Sequence, residues 1–203
     1  MITSTRTSVE LLEQAIDYTR DVLADIDEDD LDLPTPCRQW QLKELLSHMD
    51  DALTAFTEAA VGSIALSPAW IEQSGLLPDQ PGILDRLRPN ACLLLSVWAV
   101  RSAVPDISVG MVTVPGDVLL STAALEISVH GWDVDQTVTA GRDTYPRRIP
   151  EDLAVRLLDT AHDVIAEADR GRRFAAALAV SPLAPADDRL LAFLGRHPHS
   201  GAH

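Results

Sequence analysis

The sequence predicts an all-α protein, a four-helix bundle with an additional helix and a short C-terminal extension. Apolar residues recur at helical spacing over five long segments, which is typical of helices with one buried face. Prolines and glycines cluster between these segments. With 203 residues and 46% hydrophobic content, the chain is long enough for one domain with its own core.

The first predicted helix covers residues 9–26 and is followed by an acidic connector. Its apolar stripe consists of Leu11, Leu12, Ile16 and Val22. Pro34 and Pro36 exclude a helix next, because proline lacks an amide donor and biases the residue before it toward extended geometry. We therefore expect a rigid lead-in to the second helix, which covers residues 41–61.

The third predicted helix covers residues 83–104, after a loop over residues 62–81 that is rich in Ser, Pro and Gly. Because its C-terminal half is continuously apolar, we expect this helix to lie deep in the bundle. Residues 107–114 alternate weakly around Gly110, which predicts a short extended piece or a hairpin.

The fourth predicted helix covers residues 117–139 and the fifth covers residues 151–168, after a proline that marks its start. A last short helix is expected over residues 187–194. We expect the bundle to occupy residues 1–170 and the C-terminal extension to occupy residues 171–203.

The charge balance excludes two classes of partner. Sixteen Lys plus Arg against 31 Asp plus Glu give a formal net charge of −15, which repels nucleic-acid phosphates and anionic lipid headgroups. The longest apolar run, residues 91–100, is half of the ~20 residues that a membrane-spanning helix needs. Residues 1–10 lack the apolar core of a secretory signal, and two cysteines are too few for a disulfide framework. The composition therefore predicts a cytoplasmic protein with reduced thiols.

Glu126 and His130 are the first candidate functional pair. They are four residues apart on a predicted helix, so their side chains lie on one side of it, within reach of a common ion. With Leu119 at 0° on a helical wheel, they fall at about 340° and about 20°, beside the apolar face. A carboxylate that faces a core is costly unless it is paired. At this spacing the carboxylate of Glu126 can be compensated by a metal ion, by a Glu126–His130 hydrogen bond or by a Glu–Arg pair.

His48 lies on a flank of the second predicted helix, in a row with three small alanines that allow a neighbouring helix to approach. Taken alone, it is more typical of a hydrogen-bonded core histidine. With Glu126 and His130, however, it completes two imidazoles and a carboxylate, the ligand mixture of catalytic zinc sites that leave a fourth position open. Iron, nickel and cobalt suit the same set.

Asp133 follows His130 by three residues and is the candidate to orient a ligand imidazole or to act as a base, with a solvated position as the alternative. We interpret Trp40 and Trp132 as wedges that fix the ligand helices, and Cys37 as a packing thiol rather than a nucleophile. We interpret Asp50 and Asp51 as solvated residues, or at most as residues that contact a metal ligand from behind. No role is assigned to His162, His197, His199 and His203.

Two motifs resemble those of a known family. The first is Pro34-Thr35-Pro36-Cys37, followed by Trp40 and Leu45-Leu46-Ser47-His48, and the second is Glu126-Ile127-Ser128-Val129-His130-Gly131-Trp132-Asp133. They are similar to the actinobacterial branch of the DinB-like superfamily, which includes the N-terminal domain of mycothiol-dependent maleylpyruvate isomerase. The ending Leu190-Leu191-Ala192-Phe193-Leu194-Gly195-Arg196 also resembles that branch. The resemblance implies a DinB-like four-helix bundle in which His48, Glu126 and His130 are the metal ligands.

The resemblance also implies a function, because characterised relatives use a divalent metal, usually zinc, to activate the thiol of mycothiol. Coordination lowers the pKa of a thiol, so that the nucleophilic thiolate exists at neutral pH. We therefore expect a metal-dependent thiol transferase or isomerase-type enzyme whose partners are a small-molecule thiol and an electrophilic small molecule, as a monomer or a homodimer.

Isomerisation of maleylpyruvate is not implied, because that enzyme has a sizeable further C-terminal domain and only about 35 residues follow the fifth predicted helix here. Two other functions stay open at this point. One is a non-enzymatic metal-binding or ligand-sensing module, and the other is a metal-dependent hydrolase or lyase.

Overall fold

The computed structural model describes residues 2–37, 40–61, 82–99, 106–109, 112–140, 142–171 and 173–198. Within these ranges the chain forms six α-helices and one small hairpin, which confirms the predicted all-α class. The helices are α1 (Ile2–Leu23), α2 (Leu42–Val61), α3 (Ile83–Ala99), α4 (Gly116–Thr139), α5 (Glu151–Val164) and α6 (Ala186–Phe193). The hairpin consists of β1 (Ile107–Val109) and β2 (Val112–Val114). No helix among the described residues combines the length and the apolar character that crossing a membrane requires.

Helix α4 lies at the centre of the bundle. It packs against α1, α2 and α5, and it is buried on nearly all sides from Leu120 to Val138. A helix that is apolar or small on most faces can be surrounded in this way, since it exposes few polar groups that need water. Among the few residues of α4 that keep partial exposure are Glu126 and His130, on the side that faces α2.

Helix α3 is not the deep helix that its apolar sequence predicted. It packs against α2 and α1 on one side and buries Leu87, Leu94 and Trp98, whereas Leu93 is 52% exposed. A continuous apolar sequence indicates how much of a helix can be buried. Burial on every side also requires neighbouring elements on every side. The last five residues of the predicted helix, 100–104, lie outside the described residues.

The other boundaries differ from the predicted ones by a few residues at most, except at the start of the chain. Helix α1 begins at Ile2 instead of residue 9, because a helix can continue beyond the part whose apolar stripe faces the core. The predicted hairpin is confirmed, with Ile107 paired to Val114 and Val109 paired to Val112 in antiparallel register. The predicted loop over residues 62–81 lies outside the described residues.

Helices α1 and α4 approach closely where Thr19 meets Gly131. The hydroxyl of Thr19 donates a hydrogen bond of 3.0 Å to the carbonyl oxygen of Ile127. A Cβ atom at position 131 would lie 2.5 Å from the Thr19 Oγ1, closer than van der Waals contact allows. The absence of a side chain at Gly131 therefore sets the spacing of the two helices beside His130.

The segment after α5 returns toward the centre of the bundle. The amide of Leu178 donates to the carbonyl of Ala192 at 2.8 Å, and Arg170 Nη1 donates to the carbonyl of Phe193 at 2.7 Å, so the segment is tied to α6. Beyond α6 the chain reverses at Gly195, whose φ of 79° belongs to the left-handed region. The boundary at residue 170 between bundle and extension stays a prediction, but the extension packs onto the bundle through α5 and α6.

Candidate metal centre

Three ligand-type side chains converge between two helices. His48 projects from α2, and Glu126 and His130 project from adjacent turns of α4. Glu126 Oε1 lies 2.8 Å from His48 Nε2 and 3.2 Å from His130 Nε2. One ligand atom from each of the three residues lies within 4.8 Å of the other two. The structure thus brings together the three residues that the sequence singled out.

The donor set and its spacing fit a divalent metal ion. A tetrahedral zinc ion bound at 2.0–2.2 Å by nitrogen and oxygen separates neighbouring ligand atoms by about 3.3–3.6 Å. Glu126 Oε1 lies about 0.5 Å closer to His48 Nε2 and about 0.1 Å closer to His130 Nε2 than the lower limit of that range. Because the side chain of His48 is 39% exposed, its ring has room to adjust. Two imidazole nitrogens and one carboxylate are also the ligand types of open zinc sites.

The charges of Glu126 and His130 are strongly coupled. Burial opposes ionisation of Glu126, but hydrogen bonds from His130 and His48 outweigh it and hold the pKa of the carboxyl well below its usual range. Burial likewise opposes protonation of His130, but hydrogen bonds to Asp133, Cys37 and Glu126 raise the pKa of that imidazole to about 11. In the metal-free site at neutral pH, Glu126 is therefore ionised and His130 carries a proton that a metal ion would displace.

Asp133 lies behind His130, away from Glu126. Its Oδ2 is 3.0 Å from His130 Nδ1, and its side chain is fully buried. Arg196 neutralises it through two hydrogen bonds, from Nε to Oδ1 at 2.9 Å and from Nη2 to Oδ2 at 2.6 Å. Burial opposes ionisation of Asp133, but the hydrogen bonds from Arg196 and His130 lower the pKa of the carboxyl. A carboxylate on the second nitrogen of a ligand histidine fixes the tautomer and the ring orientation.

A second group of ligand-type atoms, Cys37, His130 and Asp133, lies next to the first. Cys37 Sγ is 3.3 Å from Asp133 Oδ2 and 3.9 Å from His130 Nδ1. However, Arg196 already occupies both carboxylate oxygens of Asp133, and a guanidinium there repels a cation. The group that contains His48 and Glu126 is therefore the better metal site. Cys37 packs partly against the core, as expected, but its thiol also reaches the site, which the sequence interpretation missed.

A cavity of about 1320 Å³ opens beside the three ligand-type residues. Trp40 lines it with a ring whose centroid is 4.9 Å from that of His48 and 6.5 Å from that of His130. Trp132 also lines the cavity but is almost completely buried, as expected of a wedge. The opposite wall comes from the end of α5 and from the C-terminal segment, through Val164, Ile165, Phe174, Ala175, Ala176, Leu178 and Leu194. The walls are therefore mainly apolar away from the ligands.

Asp50 lies elsewhere than the sequence analysis placed it. Asp50 is not solvated; it accepts hydrogen bonds from Arg86 Nε at 3.1 Å and from Asn90 Nδ2 at 2.6 Å, and so ties α2 to α3. His162 stacks on Phe193 far along α5 and has no contact with the ligand-type residues in the described part of the chain.

Two residues of the site were not assigned a role from the sequence. Arg196 belongs to the C-terminal stretch that resembles the family, and His197 has no role that the sequence indicates, yet both line the cavity. No local pattern in the sequence indicates either of them. Their position depends on the turn at Gly195, which directs the chain back toward α4.

The fold and the site define a class of protein, a helical bundle with a candidate divalent-metal site between its central helix and a neighbouring helix. The sequence profile of the family described as mycothiol maleylpyruvate isomerase N-terminal domain matches residues 12–135, and the chain belongs to this family. It is also similar to two uncharacterized proteins from two strains of Mycobacterium tuberculosis, each 28% identical over 189 residues, which cover 91% of this chain and 94% of each relative. No solved structure gives a significant match.

Proposed function

We propose that this protein is a metal-dependent enzyme that transfers a low-molecular-weight thiol, such as mycothiol, to an electrophilic small molecule. His48, Glu126 and His130 hold one divalent ion, and zinc suits this donor set. The observation that carries the proposal is the convergence of these three side chains at the wall of a cavity of about 1320 Å³.

The number of ligands supports a catalytic site over a structural one. Among the residues that the structure describes, the group has three protein ligands, whereas structural zinc sites are closed by four. The ligands also border a cavity, so the fourth position faces space that a substrate can enter. A saturated site that only stabilises the bundle is therefore the less favoured alternative.

The size of the cavity supports a site for an organic substrate. Pockets for a single small molecule have volumes of about 300–1,000 Å³. The cavity beside His48, at about 1320 Å³, therefore has room for a low-molecular-weight thiol next to the ligand-type residues.

Each residue of the site has a separate task in this proposal. When bound, the ion lowers the pKa of a coordinated thiol, so that the thiolate is present at neutral pH. Asp133 orients His130 through Nδ1, because it is fully buried and paired with Arg196, which makes it unsuitable as a base in the cavity. Trp40 packs beside the ring of His48 and excludes water from one side of the site.

The metal site is tested with untagged protein. Metal content is measured by mass spectrometry for the parent, for His48→Ala and for His130→Ala. We expect about one equivalent of zinc in the parent and a large loss in both variants. His162→Ala is the matched control, since His162 is an exposed histidine on α5 without contact to the ligand-type residues in the described part of the chain. Full metal retention by the two site variants would show that these histidines are not ligands.

The reaction is tested with mycothiol and monochlorobimane. In the expected reaction the thiol sulfur forms a C–S bond, chloride leaves with the electron pair, and the thiol proton passes to solvent. Fluorescence of the adduct should appear faster with the parent than with His48→Ala or with protein treated with a chelator. If the zinc-loaded parent gives the same rate as buffer with mycothiol, and also with other low-molecular-weight thiols, the transferase proposal is wrong even though the metal site stands.

A further inference from the structure

We propose that Arg196, at the C-terminal end of the described chain, is a positioning residue for the metal centre. It acts through Asp133 on His130, so the C-terminal segment is a working part of the site and not only a cap on the bundle. This inference rests on the proposed function insofar as it takes His130 to be a metal ligand.

The contacts form an unbroken chain from Arg196 to the candidate ligands. Arg196 donates from Nε and Nη2 to the two oxygens of Asp133 at 2.9 Å and 2.6 Å. Asp133 Oδ2 lies 3.0 Å from His130 Nδ1, and His130 Nε2 lies 3.2 Å from Glu126 Oε1. Because Arg196 binds both oxygens, the carboxylate plane of Asp133 is held in one orientation. That orientation sets the direction in which His130 Nε2 points.

Asp133 needs Arg196 because it has no access to water. Its side chain is completely buried, and that of Arg196 is only 18% exposed. A buried carboxylate that loses its charge partner must find another hydrogen-bond donor or rotate. The nearest candidates are His130 and Cys37, so its rotation would displace a ligand.

The turn that places Arg196 beside Asp133 requires glycine at position 195. The amide of Arg196 donates to the carbonyl of Leu191 at 2.8 Å, and the amide of Gly195 donates to that of Ala192 at 3.0 Å, which is the pattern of a Schellman turn. Gly195 adopts a φ of 79°, and a Cβ atom there would lie 2.6 Å from the Cβ of Ala175. The chain can therefore turn back toward α4 only with glycine at this position.

The experiment compares two arginines that hold the same segment. Arg170 donates to the carbonyls of Phe193 and Ala175, so Arg170→Ala removes an arginine from the same segment but keeps the hydrogen bonds of the turn at Gly195 and the pair of Arg196 with Asp133. Arg196→Met removes the pair with Asp133, and Arg196→Lys keeps the charge but loses the bidentate contact. Zinc affinity is measured by competition with a chromophoric chelator, and the absorption spectrum of the Co²⁺-loaded protein reports the geometry of the ligands.

We expect Arg196→Met to raise the Kd for zinc about 10- to 100-fold, the usual effect of removing a partner of a ligand, and to alter the Co²⁺ spectrum. Arg196→Lys should fall between Arg196→Met and the parent. Arg170→Ala should keep a Kd within about twofold of the parent value and an unchanged spectrum. Folding of each variant is checked by circular dichroism.

Two results would overturn the inference while the metal site stands. One is a zinc Kd for Arg196→Met within about twofold of the parent value, and the other is an equal loss of affinity in Arg170→Ala. If Arg196→Met does not fold, Arg196→Lys decides, since an unchanged Kd and Co²⁺ spectrum in that variant contradict the positioning role. A parent protein that binds no zinc overturns the proposed function together with this inference, so the zinc content of the parent distinguishes the two failures.

Discussion

Helices α1 and α4 meet closely at Gly131. The variant Gly131→Ala tests how much the stability of the bundle depends on this close contact. A Cβ atom at this position would lie 2.5 Å from the Oγ1 of Thr19 and 3.2 Å from its Cβ and Cγ2. Thr19 is buried and β-branched, which restricts its rotation within a helix. The new methyl group can therefore be accommodated only if the two helices separate.

The expected magnitude follows from three contributions. Inserting a methyl group into a packed interior costs about 1–3 kcal/mol. Losing the hydrogen bond from Thr19 to the carbonyl of Ile127 costs about 1 kcal/mol, and the higher helix propensity of alanine offsets about 1 kcal/mol. The last two contributions cancel, so we expect Gly131→Ala to lower the free energy of unfolding by about 2 kcal/mol.

Urea unfolding followed by circular dichroism measures this change, which should appear as a lower midpoint with an unchanged slope. Thr19→Ala is the control, because it removes two of the three atoms that the new methyl group would meet. In the Thr19→Ala background, Gly131→Ala should cost at least about 0.5 kcal/mol less. A Gly131→Ala variant as stable as the parent, or an equal cost in both backgrounds, would contradict a steric clash with Thr19.

Three further predictions concern metal, pH and a buried ion pair. Zinc at 100 times its Kd should stabilise the parent by about 2.7 kcal/mol and His48→Ala much less, as thermal unfolding with and without chelator will show. In the metal-free protein the pKa of His130 is raised from 6.5 to about 11, so its ion pairs stabilise fully below pH 6.5 and are lost as the pH rises toward 11. Urea midpoints should therefore fall over this interval in the parent more than in His130→Gln; parallel curves would contradict this. Arg148→Ala removes a charge partner from the buried Asp187 and Asp188 and should cost about 2–3 kcal/mol, whereas an unchanged urea midpoint would contradict the assigned pairing.

The helices were predictable because their signals are local. Apolar spacing, together with the proline that precedes α5, predicted every α-helix of the described chain, with errors mainly at the ends. The depth of each helix was not predictable in the same way. Helix α3 has the longer apolar run but lies at the side of the bundle, whereas α4 lies at its centre. How deeply a helix is buried depends on how many other elements surround it. The apolar periodicity within one segment does not give that number.

The candidate site likewise has one part that was predictable from local sequence and one part that was not. Glu126 and His130 are one helical turn apart, so their proximity follows from helix geometry alone. His48 is 78 residues from Glu126 along the chain, and its flank position predicted only that it faces a neighbouring helix. The family resemblance supplied the connection between the two motifs, and the structure places His48 Nε2 2.8 Å from Glu126 Oε1.

The helical class, the break between α1 and α2 and the pair of ligand-type residues on α4 all follow from local features of the sequence. Hydrogen bonds between residues four apart and the covalent geometry of proline are local, so no other part of the chain is needed to predict them. The pairing of Arg196 with Asp133, 63 residues away along the chain and behind His130, depends on the tertiary fold. That contact exists because α6 packs against α5 and the chain then turns at Gly195, and such packing depends on surfaces that distant segments form together.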